Sequence, residues 1–267
     1  MSSESRHDEI QGQYATPRNL AMRGSFQAKY ATVSWFGWLR DRIDLRESTH
    51  ILDVGCGPGW LWKAWEKRLP NDLHISLVDI SPGMIQEAKT NLSMLEQIEI
   101  VDAGLADAVA LPHAAETFDV VFLLHVLYHT GDPRSALQEA LRVLRPGGQV
   151  FVSANTLDNL SELHLLGAKA FGGPAVDPGA ALFSLDDAET LVSEIFETAE
   201  RYDLTDVLIC THHEDAVGVL LSMPPGNSAP DEQRDHLAKL IREESDKAGG
   251  QLLATRRNGL VVGTKSL

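Results

Sequence analysis

Ile51-Leu52-Asp53-Val54-Gly55-Cys56-Gly57-Pro58-Gly59 decides the reading of this 267-residue chain. An apolar run that ends in an acid and then meets three glycines at alternate positions describes a buried strand stopping in a tight turn. Glycine there lets a ligand approach the backbone where a side chain would block it. Trp60 to Arg68 continues with helical spacing and stops before Pro70. Strand, glycine turn and helix together form the opening unit of a nucleotide-binding α/β sheet.

The same alternation repeats downstream. Ile75 to Asp79, Ile98 to Val101, Phe118 to Leu123 and Gln149 to Ala154 read as further strands. Ser81-Pro82 supplies an N-cap and first-turn proline for a helix to about Leu95, and Ser135 to Leu144 reads as another. Strands separated by helices of this length predict a parallel, doubly wound sheet. Upstream, residues 1–18 are polar. Residues 19–43 are expected to be helical after Pro17, with Trp35, Phe36, Trp38, Leu39 and Ile43 on one face.

Beyond Asn155 the rhythm breaks. Gly167, Gly172-Gly173-Pro174 and Pro178-Gly179 mark a helix and loop inserted at 156–183. Ser184 caps a helix reaching Ile195, and residues 200–210 read as a sixth strand. Helices are expected near 214–222 and 231–247. Asn258-Gly259 between Leu252–Thr255 and Leu260–Gly263 predicts a closing hairpin. The expectation is a single domain over 1–267, comprising an N-terminal helical cap (1–47), a cofactor-binding core (48–155), and a lid insertion with the C-terminal part of the sheet (156–267).

The glycine spacing is G-x-G-x-G, not the G-x-G-x-x-G of dinucleotide folds, and no phosphate loop is present. Asp53 would repel a pyrophosphate and attract a cationic head, such as the ammonium and sulfonium of S-adenosylmethionine. Asp79, at the end of the second strand, is placed to accept from ribose hydroxyls, or it is a capping acid. Asp107 can accept from an adenine amine, or it shapes a turn. Ile80 and Met84 flank the adenine ring or belong to the core.

The chain resembles the class I methyltransferases of the UbiE/methyltransferase-11 type. The resemblance rests on Leu52–Gly59, Val78-Asp79-Ile80-Ser81-Pro82-Gly83-Met84, Ala106-Asp107-Ala108 with Leu111-Pro112, Phe118–Val121 and Arg142-Val143-Leu144-Arg145-Pro146-Gly147-Gly148. It covers residues 48–155 firmly. It implies a Rossmann-like methyltransferase fold whose seven-stranded, mostly parallel sheet is closed by an antiparallel strand between the fifth and sixth, with Leu260 to Lys265 as the candidate. It also implies S-adenosylmethionine as cofactor and S-adenosylhomocysteine as product. The cofactor residues would be Asp53, Gly55, Cys56, Gly57, Gly59, Asp79, Ile80, Met84, Asp107, Ala108 and Leu124.

The segment after Leu124 passes, in that family, beside the transferring methyl. His125, Tyr128 and His129 are therefore the candidate catalytic residues. The i, i+4 spacing of the histidines would put both on one face of a helical turn. His129 reads as general base or substrate orienter, with a structural histidine as the alternative. Methyl transfer from a sulfonium is in-line and already activated, so alignment supplies much of the rate and a strong base is not compulsory. The acceptor pocket is expected to be roofed by Gln27, Tyr30 and Trp35 and by His164 and Phe171 of the insertion, with Trp38 as core. Among Trp60, Trp62 and Trp65, the spacing allows only part of one face to be core. His212-His213-Glu214-Asp215 reads as a helix cap and no metal is expected.

Composition narrows the partners. With 38 acidic against 23 basic residues the formal net charge is −15, which disfavours a nucleic-acid backbone as substrate. Arg256-Arg257 is a short basic pair. Cys56 and Cys210 form neither a disulfide framework nor a zinc spacing. The polar start has no apolar signal core, and no apolar run approaches the ~18 residues of a membrane span. A cytoplasmic monomer or homodimer is expected, acting on a small-molecule acceptor, with no nucleic-acid or membrane partner. The acceptor atom, N, O or C, stays open. The alternatives are an RNA or protein methyltransferase, a non-catalytic S-adenosylmethionine-binding protein, and a nicotinamide dehydrogenase.

Overall fold

The computed structural model describes residues 18–47 and 49–267. The polar stretch 1–17, with Pro17, lies outside the described residues. Strands β1 (His50–Val54), β2 (Leu73–Asp79), β3 (Ile98–Leu105), β4 (Phe118–Leu124), β5 (Leu144–Asn155), β6 (Thr198–Cys210) and β7 (Leu252–Thr264) form one sheet in the order β3-β2-β1-β4-β5-β7-β6. β1 to β5 pair in parallel, and β7 runs antiparallel to both β5 and β6. The order reverses between β1 and β4, so a crevice opens at their carboxyl ends.

Alternating burial puts the two faces of the sheet into two cores. One face packs on α5 (Pro133–Val143) and α7 (Leu185–Ile195), through Leu52, Val121, Val152 and Val261. The other packs on α2 (Trp35–Arg40), α3 (Trp60–Trp65) and α4 (Pro82–Leu92), through Ile51, Phe122, Phe151 and Leu260. Trp62 and Trp65 are both fully buried here, so two of the three tryptophans after the glycine turn are core.

β6 and β7 do not stop with the sheet. β7 leaves β5 at Asn258, and six further residue pairs, Thr205↔Arg257 to Cys210↔Leu252, carry a two-stranded ribbon past the crevice. On the ribbon rests a third core, formed with α1 (Arg18–Tyr30), α6 (Ser161–Phe171), α8 (His213–Leu221) and α9 (Asp231–Lys247).

Two expectations are corrected. The hairpin at Asn258-Gly259 does not form, because β7 runs straight through it. Asn258 is buried, and a Cβ on Gly259 would lie 2.4 Å from the Tyr202 carbonyl oxygen and 2.6 Å from Leu185 Cδ2. The glycine serves close packing, not a turn. The single helix expected over 19–43 is two helices. Thr32 N and Val33 N donate to Asp206 Oδ2 at 3.0 and 3.2 Å, and Thr32 Oγ1 donates to Asp206 Oδ1, which breaks the helix before Ser34 caps α2.

Candidate active site

The glycine turn is stitched to β2, with Gly55 N and Cys56 N both donating to the Val78 carbonyl, at 2.7 and 3.1 Å. Gly55, Gly57 and Gly59 all have left-handed backbone, φ +67°, +53° and +74°. They serve different ends. A Cβ on Gly55 would lie 2.4 Å from Val126 Cγ2, and one on Gly59 2.4 Å from Leu92 Cδ1. Those two glycines allow the turn to pack. Around Gly57 the nearest atom among the described residues, its chain neighbours aside, is Leu20 Cδ2 of α1, at 3.9 Å. That glycine is called for by its left-handed backbone and not by packing. Gly57 N donates to Asp79 Oδ2 at 3.0 Å, while Asp79 Oδ1 accepts from Ser81 N at 2.9 Å.

The charge at this turn is acidic. Asp53 is buried, and its Oδ2 accepts from the Trp62 indole Nε1 at 2.7 Å. Burial pushes its carboxyl up to about 7, Trp62 draws it down, and the Asp79 charge raises it further. Burial also raises Asp79, against the backbone N–H groups that stabilise its charge. Burial raises the Cys56 thiol well above its usual value. Asp107 Oδ1 accepts from Val109 N at 3.2 Å and shapes the loop after β3. Met84 and Ala108 are buried, and Ile80 and Leu124 half-buried. The Trp62 partner of Asp53 was not foreseen; its signal, an indole nine residues on across the glycine turn, is visible only once the turn geometry is known.

Beyond β4 the chain does not enter a helix at once. His125 has φ +56°, and its N–H lies 3.1 Å from the Ser153 carbonyl and 3.0 Å from Ser153 Oγ. This still belongs to the β4–β5 ladder, and the short helical turn begins at Leu127. The expected common helical face for His125 and His129 is therefore not formed. The His125 ring lies between Trp35 and Tyr128, at centroid distances of 5.4 and 6.3 Å, and Tyr128 meets His129 edge-on at 4.4 Å. Burial pushes His125 down to about 4; the Asp177 charge opposes this, and Arg23 and Arg256 add to it.

The remaining candidates are placed apart. Tyr30 is buried, donates to Asp215 Oδ2 at 2.5 Å and lies 3.4 Å from His212 Nδ1. Lys29 pairs with the same carboxylate at 2.7 Å. The His212–Asp215 segment thus starts α8 and ties it to α1. His164 and Phe171 share a face of α6. Gln27 Oε1 accepts from Arg256 Nη1 at 3.3 Å. Arg256 itself is 2% exposed, paired with Asp206 at 3.0 Å and donating to the Val33 carbonyl at 2.7 Å. It is a clamp on the α1–α2 loop and offers no basic surface. Among the described residues no group of three His, Cys, Asp or Glu could hold a metal ion, and no helix is long and apolar enough to cross a membrane.

Residues 52–152, which include the glycine turn and both acids and reach into β5, match the family model described as a methyltransferase domain. Over those residues the chain is similar to a methyltransferase domain. The cofactor of that family is S-adenosylmethionine. A malonyl-[acyl-carrier protein] O-methyltransferase of Hahella chejuensis is 32% identical over 170 residues, 64% of this chain and 57% of that protein. A ubiquinone/menaquinone biosynthesis C-methyltransferase, UbiE, of Hydrogenovibrio crunogenus is 35% identical over 43% of this chain and 46% of its own. The chain spans about half the length of the curated relatives it matches. The YcgJ protein from Bacillus subtilis has the same fold, with TM-score 0.58 and 16% identity, over 87% of this chain and 98% of that one. So does the [4+2]-cyclase SpnF, with TM-score 0.55 and 18% identity, over 88% and 84%.

Proposed function

We propose that this chain is an S-adenosylmethionine-dependent methyltransferase acting on N, O or C of a small-molecule acceptor of the natural-product kind. The observation that carries the reading is the glycine turn set between a buried acid, Asp53, and a half-buried one, Asp79, whose carboxyls burial has raised. Such a turn is short of positive charge, and a cationic ligand head offsets the cost of ionising both acids. The residues to hold the cofactor are those of the turn (Asp53, Gly55, Cys56, Gly57, Gly59), with Asp79 and Ile80 on the ribose side. Met84, Asp107 and Ala108 serve the adenine, and Leu124 the methionine portion. Bound there, S-adenosylmethionine supplies a methyl group already activated on sulfur for in-line displacement.

The chain's own part is alignment. His125, with a pKa near 4, is neutral at pH 7 and too weak a base to match the task. Its role is to orient the acceptor together with Trp35 and Tyr128. His129 is the residue to take a proton from a hydroxyl or enolisable carbon, while an amine acceptor arriving neutral needs none. The net charge of −15 and the burial of Arg256 support a cytoplasmic protein with neither nucleic-acid nor membrane partner.

S-adenosylhomocysteine at a hundred times its dissociation constant should stabilise the protein by about 2.7 kcal/mol, read as a rise in Tm, and NAD should leave Tm unchanged. The reverse preference overturns the reading.

A further inference from the structure

Asp206 on β6 and Arg256 on β7 face each other across the ribbon, just beyond Asn258, where β7 leaves β5. Their side chains are each 2% exposed and meet at 3.0 Å. Together they take up the polar groups of one short loop. Thr32 N and Val33 N donate to Asp206 Oδ2, Thr32 Oγ1 donates to Oδ1, and the Val33 carbonyl accepts from Arg256 Nη2 at 2.7 Å. A buried ion pair adds little net stability over apolar residues of the same volume, but its hydrogen bonds have direction. Here that direction fixes where residues 32–33 lie.

The loop leads into α2, which is 6 residues long and capped by Ser34. Trp38 and Leu39, toward its end, are buried in the second core. Trp35, its first residue, is half-buried. The Trp35 ring stacks on Trp38 at 5.4 Å, a contact within the helix that moves with it. Toward the sheet the same ring meets His125, at 5.4 Å and tilted by 53°. The helix thus has two anchors, its own core toward the end and the ribbon pair at the start, and the ribbon pair holds the residues next to Ser34 and Trp35. Arg256 bears on His125 a second way: burial lowers the His125 pKa, and the Arg256 charge adds to that. His125 lies within residues 52–152, whereas Thr32, Val33, Trp35, Asp206 and Arg256 all lie outside them.

We propose that Asp206 and Arg256 are positioning residues for the acceptor site: by holding Thr32 and Val33 they set the Trp35 ring against His125, so that the wall orienting the acceptor is placed by the ribbon. That this wall orients an acceptor rests on the methyltransferase reading; the coupling of the pair to the Trp35–His125 contact does not.

The test follows the ring-proton NMR shifts of His125 in the full chain, labelled at histidine and assigned through His125→Gln. Trp35→Leu gives the values without the neighbouring ring. Asp206→Leu/Arg256→Met removes the pair without leaving a buried charge, and should move the His125 shifts most of the way to the Trp35→Leu values. In the Trp35→Leu background the same double substitution should leave them in place, because an effect carried by the ring disappears with it. The double variant should still unfold cooperatively in urea, and should bind S-adenosylhomocysteine within about twofold of wild type, the scatter of independent sites. If it fails to fold by circular dichroism, Asp206→Asn/Arg256→Gln takes its place. His125 shifts that stay at wild-type values, or that move equally with and without Trp35, overturn the proposal. So does a matching loss of S-adenosylhomocysteine affinity, or loss of the fold in both double variants, since the pair then holds the fold at large. Failure of wild type to bind S-adenosylhomocysteine, with the His125 shifts behaving as expected, removes the acceptor reading and leaves the pair as the support of the Trp35–His125 contact.

Discussion

Asp53 beneath the glycine turn and Asp177 in the insertion after β5 are both buried, yet the protein holds them in opposite ways. Asp53 accepts from one side-chain donor, the Trp62 indole, and its carboxyl sits at about 7. Asp177 takes four donors from its own surroundings and sits below its usual value. Residue type and burial are matched, so the difference lies in what the chain supplies. Where it supplies a full set of donors, the acid has become scaffolding for the 177–180 turn. Where it supplies one donor and a second acid, the region is arranged around something that arrives.

The sharpest break in this comparison would come from Asp177→Ala. Four donors lose their acceptor, and the free energy of unfolding should fall by about 3–5 kcal/mol in a urea titration. A loss under about 1 kcal/mol would mean that Asp177 is no scaffold. Asp53→Asn should do the converse. Stability without ligand should hold or rise at pH 8, since a buried charge is removed, while S-adenosylhomocysteine binding weakens by about 1.5–3 kcal/mol in calorimetry. Unchanged affinity would take Asp53 out of the site.

The smallest expected effect is one of pH. Because the folded-state value of Asp53 is raised, ionising it costs the ligand-free fold as pH climbs from the usual carboxylate range to about 7. A cationic head selects the ionised form, so affinity should rise with pH through about 7 and be about tenfold weaker at pH 6 than at pH 8. Asp177 has the opposite sign: its lowered value adds stability above the usual carboxylate range, and this is lost as pH falls through the folded value. A flat affinity profile in wild type, or a slope that survives in Asp53→Asn, would sever the link to Asp53.

The strand–turn–strand unit around the glycines was legible because its signals are local. A strand, an alternate-glycine turn and an acid at the next strand end lie within Ile51–Asp79, and each acts on close neighbours in the chain. The rest failed where a partner sits far away in sequence. Nothing near Thr32 announces that Asp206, 174 residues on, will catch its backbone and divide the N-terminal helix. Asn258-Gly259 carries a turn signature, but Tyr202 and Leu185 approach so closely that the strand continues. The spacing of His125 and His129 suggested a helical turn; Ser153, on the neighbouring strand, holds His125 in the ladder instead. His164 and Phe171 were picked out by residue type. The saturation of Asp177 draws on Asn155, Asn159, Gly179 and Ala180 and has no signature in any short stretch.

The ribbon that β6 and β7 carry beyond the sheet has a consequence for how such a protein can vary. Strands rise about 3.3 Å per residue, and their side chains alternate faces with a period of two. Inserting or deleting two residues in each strand would shift the helices it bears by about 6.6 Å and keep Leu208, Cys210, Leu252 and Ala254 facing the same core. A single residue would turn every one of them outward. The height of the space above the crevice is thus adjustable in discrete, even steps, with the glycine turn left where it is.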